Sequence, residues 1–187
     1  FFAGDDWFTD EDSSAHGLPN FIGNHDVGRF GYFIDQANPG ASDAERLARA
    51  DLGYALMFTT RGMPVIYYGD EQGFVGDGGD QDARQDMFGS QVDSYNDDDL
   101  IGTAATTADD NFDTTHPLYQ TLADLSALRD AHPALQTGSQ IERYAAGSVY
   151  AFSRIDGTEY LVVLNNADTG ASASFGVSTV GTFTEIW

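Results

Sequence analysis

The sequence predicts an α/β first part followed by a small antiparallel β-sandwich, and three observations carry that expectation. Two short apolar runs, Leu18-Pro19-Asn20-Phe21-Ile22-Gly23 and Gly62-Met63-Pro64-Val65-Ile66-Tyr67-Tyr68-Gly69, flank a helical pattern. Strand, helix and strand at that spacing form a βαβ unit, which implies parallel strands and a right-handed crossover. After Pro133 the texture changes to alternating runs punctuated by turn residues, as in an antiparallel sheet.

Residues 1–19 are rich in Asp, Ser and Gly with scattered aromatics and read as loop. The first apolar run ends in the polar triplet Asn24-His25-Asp26, the signature of a buried strand that exposes polar groups at its C-terminal end. Ser42 with Glu45 three residues on makes a capping box. Leu47, Ala50, Leu52, Ala55, Leu56 and Phe58 then supply an apolar helical stripe to about Thr60. Residues 69–115 are dense in Gly, Asp and Asn and read as a long loop, a length usually functional or flexible. His116-Pro117 opens a second helix, with Leu118, Leu122, Leu125 and Leu128 at helical spacing, ending near His132-Pro133.

In the tail, residues 141–144, 149–153, 160–165 and 173–177 read as strands. Gly147, Asp156-Gly157, Asp168-Thr169-Gly170 and Gly181 separate or follow them. The expected boundary lies near residues 133–138, giving a first domain of 1–134 and a second, truncated one of 135–187.

Thirty acidic residues face eight basic ones, a net charge of −22, and every basic residue is Arg. Such a surface repels nucleic acid and anionic membranes, both of which require neutralisation by basic groups. No run of about 18 apolar residues exists to span a bilayer. Three readings of the acidity stay open: a solvated surface that keeps the protein soluble, adaptation to high salt, and calcium ligation by some of the Asp residues. The Asp-rich runs 96–99 and 108–113 lack the spacing of an EF-hand loop. There are no cysteines, so disulfides and thiolate metal sites are excluded. The chain opens Phe1-Phe2-Ala3-Gly4 with no initiator Met, basic n-region or apolar h-region. The expectation is an internal start, with any signal peptide upstream.

Asn24-His25-Asp26 alone is a weak signal, since a capping Asp and a hydrogen-bonded His have the same appearance. Its company sharpens it. Gly62 to Glu71 follows as G-x-P-x-x-Y-x-G-x-E, and Asp80 to Arg84 as D-x-x-x-R, in the same order and at similar spacing as in one enzyme family. With F-x-x-N-H-D at 21–26, these motifs resemble glycoside hydrolase family 13, the α-amylase family. The resemblance covers essentially the whole chain. It implies the last two βα units of a TIM (β/α)8 barrel, whose strand C-termini form the active-site face. The tail would be the family's C-terminal β-domain.

By the same resemblance Asp26 is the catalytic carboxylate that stabilises the transition state. His25 binds the same sugar ring, Asp80 and Arg84 bind donor-side sugars, and Asn24 anchors the turn. Arg29, three residues after Asp26, is counted among the substrate-binding residues, with pairing to a neighbouring carboxylate and packing at a helix entry as the other readings. Tyr67, Gly69 and Glu71 shape the second strand end. Trp7, Phe8, Phe74, Phe88 and Tyr95 are loop aromatics that could stack on sugar. His16, His116 and His132 have no partners at metal-ligand spacing, and no metal ligand is expected at the site. The chemistry requires no cofactor, and a structural calcium ion in the full-length enzyme stays open.

The implied activity is retaining cleavage of α-glucosidic bonds in starch-like polysaccharides or maltooligosaccharides, outside the cell or in the periplasm. The nucleophile and the general acid of such a site sit about 5–5.5 Å apart and belong to upstream strands, so the 187-residue chain alone is expected to be inactive. A transglycosylase or α-1,6-acting member, and a non-catalytic carbohydrate-binding relative, are the alternatives.

Overall fold

The computed structural model describes residues 9–187, and its residues group into two compact units. One comprises Asn20–Met57 with Pro64–Leu125; the other takes the segment ending at Pro19, Phe58–Met63 and Ser126–Trp187.

Two short strands, β1 (Pro19–Asn20) and β2 (Met63–Pro64), lie side by side. The Met63 amide donates to the Leu18 carbonyl and the Val65 amide to that of Asn20, each at 2.8 Å. Both residue numbers rise together, so the strands are parallel, as the βαβ pattern predicts. Two helices connect them, α1 (Phe30–Ala37) and α2 (Asp43–Thr59). The capping box that starts α2 is formed: the Ser42 amide and hydroxyl both donate to Glu45 Oε2 at 2.7 Å, and the Glu45 amide reaches Ser42 Oγ at 3.4 Å.

Helix α1 was not among the elements expected from the sequence. Its apolar residues Phe30, Phe33, Ile34 and Ala37 do follow helical spacing. The pattern is obscured by the absence of a capping side chain on Arg29 and by Gly31 in the first turn. That glycine is required by packing: a Cβ there would meet the Phe74 carbonyl at 2.8 Å.

Residues 69–115 are largely irregular, with one 3-10 turn (Asp70–Gln72) and the short helix α3 (Asp93–Asn96). They are nonetheless packed. Phe74, Val75, Ala83, Leu100 and Ile101 are buried. The backbone amides of Ile101, Ser90 and Asn111 donate to the carbonyls of Gly73, Thr107 and Met87 and fold the stretch back on itself. Helix α4 (Pro117–Ala131) follows, with His116 Nδ1 accepting from the Leu118 amide at 3.2 Å at its entry. Leu118, Leu122 and Leu125 are buried on one stripe.

After the short helix α5 (Pro133–Thr137) the chain forms an antiparallel meander of β3 (Ser139–Ala146), β4 (Val149–Asp156) and β5 (Thr158–Asn165), in the order β3-β4-β5. Central β4 buries Val149, Ala151, Phe152, Ser153 and Arg154. Arg154 turns inward to donate to the Thr59 carbonyl at 2.8 Å and, through two nitrogens, to that of Gly138. Arg129 likewise satisfies the Phe58 and Gly62 carbonyls around the end of α2, where helical C=O groups lack partners.

The strand expected at 173–177 is absent; residues 166–187 carry no regular structure. Residues 173–177 read Ala-Ser-Phe-Gly-Val, so Phe175 and Val177 are the sizeable apolar side chains a ladder there could bury. The segment is pinned instead by the Glu159 carboxylate, which accepts from the Ser178 and Thr179 amides at 3.1 and 2.6 Å, and by the Phe175 ring beside Tyr144. Among the described residues the tail is therefore one three-stranded sheet. No described helix is long and apolar enough to cross a membrane.

Candidate active site

The turn after β1 presents Asn24, His25 and Asp26. Asn24 Oδ1 accepts from the Asp26 amide at 2.7 Å, an Asx turn that sets the direction of the Asp26 side chain. His25 Nε2 lies 3.4 Å from Asp26 Oδ1, and both side chains are open to solvent, 64% and 71% exposed. Gly28 closes the turn against the backbone of Gly78, which a Cβ would meet tightly, at 3.0 Å.

The D-x-x-x-R segment comes to the same place. Arg84 Nη2 is 3.0 Å from Asp80 Oδ2 and 3.9 Å from Asp26 Oδ1, while its Nε donates to the His25 carbonyl at 3.0 Å. The Tyr95 hydroxyl donates to the Gln81 carbonyl at 3.1 Å and steadies this loop. Asp26, His25, Asp80 and Arg84, singled out from two sequence segments, thus form one exposed cluster: two carboxylates, an imidazole and a guanidinium. Charges this exposed interact weakly across water. They gain strength only when a sugar and surrounding protein exclude solvent.

Arg29 faces the other way, which corrects its assignment as a substrate contact and agrees with the other readings, a carboxylate pair at the entry of a helix. Its side chain is wholly buried and donates to the Tyr68 carbonyl at 2.5 Å and to Asp70 Oδ1 at 3.0 Å. Tyr67, Tyr68 and Phe74 surround the guanidinium, with ring centroids 4.4, 5.2 and 5.0 Å from Cζ. A group enclosed in this way has no surface to offer a sugar. Asp70 itself was not foreseen: it is an unassigned position between Gly69 and Glu71 of the motif, and its partner is 41 positions away. Burial pushes its carboxyl up to about 6, against the pull of Arg29. Burial, and then the neighbouring Asp70 charge, also hold the Tyr54 hydroxyl well above its ordinary value.

Glu71 accepts from the Gly69 amide at 2.8 Å, and Gly69 adopts φ of 88°, with the Phe74 ring where a Cβ would stand. These residues shape the chain after β2. Of the loop aromatics, Phe74 is core, Tyr95 is half-buried, and Phe88 is 69% exposed with its ring against Phe112. Trp7 and Phe8 lie outside the described residues.

Away from the turn, one carboxylate oxygen each from Asp77, Asp97 and Asp98 lies within 4.8 Å of the others. Burial and mutual repulsion raise the pKa of Asp77 and Asp98. In the run 108–113, Asp110 accepts from the Gly89 amide and Asp113 caps Thr115, so those two carboxylates serve the loop itself.

Residues 4–138 match the family model described as alpha amylase, catalytic domain. The chain is 52% identical over 184 residues to the alpha-amylase of Streptomyces lividans, covering 95% of this chain and 20% of that protein. It is 30% identical over 169 residues to a cyclomaltodextrin glucanotransferase of Geobacillus stearothermophilus, covering 88% and 19%. Among solved structures, the gamma-CGTase of alkalophilic Bacillus clarkii superposes with a TM-score of 0.54 at 29% identity, covering 79% of this chain and 17% of that one. The chain therefore spans about a fifth of the length of the curated relatives it matches. With its three motifs in order and its strand-end cluster assembled, this chain belongs to the α-amylase family.

Proposed function

We propose that this chain is part of a retaining glycoside hydrolase of the α-amylase type, acting outside the cell or in the periplasm on starch-like α-glucans and maltooligosaccharides. The observation that supports it most is the convergence of Asp26, His25, Asp80 and Arg84 at the turn after β1. In glycoside cleavage positive charge develops on the sugar ring as the bond to the leaving oxygen breaks. A carboxylate fixed beside that ring acts on charge that exists only in the transition state. Asp26 takes that role, and His25 beside it binds a hydroxyl of the same ring. The Asp80–Arg84 pair binds sugar hydroxyls further along the donor side.

Residues 1–134 form the last two βα units of a (β/α)8 barrel in this reading, and residues 135–187 a small antiparallel β-sandwich domain. Exposed apolar side chains next to the strands support both assignments: Leu18, Phe21, Met63 and Val65 around β1 and β2, and Ile141 and Val163 in the tail sheet. Such surface is rarely left to water in bulk.

The nucleophile and the acid/base come from strands upstream, so the isolated 187-residue chain does not turn over substrate. Starch hydrolysis by that chain alone would overturn this. The chemistry draws on carboxyl groups and needs no cofactor. If the enzyme binds calcium for stability, the hard oxygen donors of Asp77, Asp97 and Asp98 suit it in kind.

The direct test is digestion of maltoheptaose by the intact enzyme, followed by NMR of the newly formed anomer. Retention gives the α-anomer first; initial β-anomer would refute the reading. Cyclic or elongated products would favour the second reading, a transglycosylase, to which the glucanotransferase relatives point.

A further inference from the structure

We infer that Asp70, acting through Arg29, is a positioning residue for the Asp26-bearing turn, so that loss of its charge loosens that turn. The inference rests on the reading of Asp26 as the transition-state carboxylate. Arg29 follows Asp26 by three residues and is the last residue before α1. Its guanidinium lies in the aromatic enclosure of Tyr67, Tyr68 and Phe74, and its Nε and Nη2 meet no hydrogen-bond acceptor among the described residues. Its position therefore depends on Nη1, which donates to the Tyr68 carbonyl and to Asp70.

Asp70 in turn touches the chain on the other side of the turn. A Cβ on Gly23, the residue before Asn24, would stand 3.3 Å from Asp70 Oδ2. The Tyr54 hydroxyl, from α2, hydrogen-bonds the same carboxylate. One buried carboxylate thus joins the chain entering the Asp26 turn, the residue leaving it, and helix α2. The other tie, Arg84 to the His25 carbonyl, is exposed, so solvent screens and competes for it. The Arg29–Asp70 pair has no such competition, both side chains being at most 3% exposed.

The charged and titratable groups facing Asp70 are Arg29, Glu71 and Tyr54. Arg29 and the Tyr54 hydrogen bond favour the ionised carboxyl, whereas Glu71 and burial oppose it and bring it to about 6. The carboxylate is therefore present near neutrality and is lost on mild acidification. When a proton arrives, Arg29 loses its counter-charge and the turn loses its buried tie.

The test uses the intact enzyme, with kcat and KM measured on a maltooligosaccharide between about pH 5 and pH 8. Asp70→Asn preserves shape and an acceptor for Arg29 but neither charge nor titration. The expected result is a wild-type to D70N ratio of kcat near unity at the acid end and about tenfold or more at the alkaline end. A ratio constant with pH would overturn the inference, because a merely architectural Asp70 would lower activity equally throughout. Should D70N fold poorly, Tyr54→Phe supplies a second reading. Removing that hydroxyl disfavours the carboxylate, so the acid limb of kcat should move to higher pH; an unmoved limb overturns the inference. Asp26→Asn serves as the reference. If it retains activity, the reading of Asp26 fails and this inference with it; if it is inactive while the D70N ratio stays flat, only the present inference fails.

Discussion

Replacing Arg29 by Met keeps much of the side chain's length and apolar bulk while removing its charge, and the pH dependence of the resulting instability tests the buried pair quantitatively. In the wild type the Asp70 carboxyl titrates at about 6. For an acid raised above its unfolded value, stability is greatest at low pH, falls as pH climbs from about 4 to about 6, and is level above. Without Arg29 the carboxyl must stay protonated to remain buried. That requirement costs about 1.4 kcal/mol for each pH unit above 6. The pH-dependent penalty relative to wild type should be close to zero at pH 6 and roughly 3 kcal/mol at pH 8.

To this is added a pH-independent loss from the three ring contacts and the Tyr68 carbonyl, on the order of 1–2 kcal/mol. The sum at pH 8 is about 4–5 kcal/mol, within the range for breaking a buried ion pair from one side. Urea unfolding of the intact enzyme and of R29M, followed by tryptophan fluorescence across that range, gives the two stability curves. They should diverge above pH 6, and adding Asp70→Leu to R29M should abolish the divergence. Parallel curves would refute the argument, since they would mean that no charge is stranded.

Three further outcomes follow from the same physical chemistry. Ser42→Ala removes the hydroxyl's two hydrogen bonds in the capping box of α2, leaving the backbone amide's bond to Glu45, and should lower stability by about 1 kcal/mol in a thermal melt. In the tail, burial opposes ionisation of Glu159, but the Ser153 hydroxyl and the Ser178 and Thr179 amides outweigh it and hold the carboxyl at about 2. That contribution is present above the ordinary glutamate value and lost as pH falls toward 2, so Glu159→Gln should flatten the acid limb of the stability curve. If the acidic surface reflects salt adaptation, melts in low and molar salt should differ, because screening relieves the repulsion of 22 net negative charges; equal melting temperatures would exclude that reading.

Local patterns in the sequence specified most of the fold. The apolar runs placed β1 and β2, Ser42 and Glu45 placed the start of α2, and the leucine spacing after Pro117 placed α4. Each signal needs only neighbouring residues. The failures have equally physical causes. Helix α1 begins without a side-chain cap and with a glycine, so propensity argues against it where packing on Phe74 decides. Residues 173–177 contain Phe and Val but too little apolar surface to hold a strand. The stretch 69–115 looked like open loop, yet Phe74, Leu100 and Ile101 give it a core.

The exposed cluster was legible because two short motifs, at 21–26 and 80–84, carry it. The buried support beneath it was not. Whether Arg29 points to a ligand or inward depends on an aromatic enclosure assembled 38 to 45 positions away, from Tyr67 to Phe74. A carboxylate partner for Arg29 could be expected, but nothing local to either residue names Asp70, 41 positions away, as that partner.

Asp26→Asn in the intact enzyme decides whether Asp26 is the carboxylate that stabilises the transition state. The side chain is exposed, so its amide should leave the melting temperature unchanged. On maltoheptaose, kcat should fall on the order of a thousandfold or more while the protein stays folded. A folded Asn variant that retains kcat within about tenfold of wild type would mean that Asp26 does not carry that role.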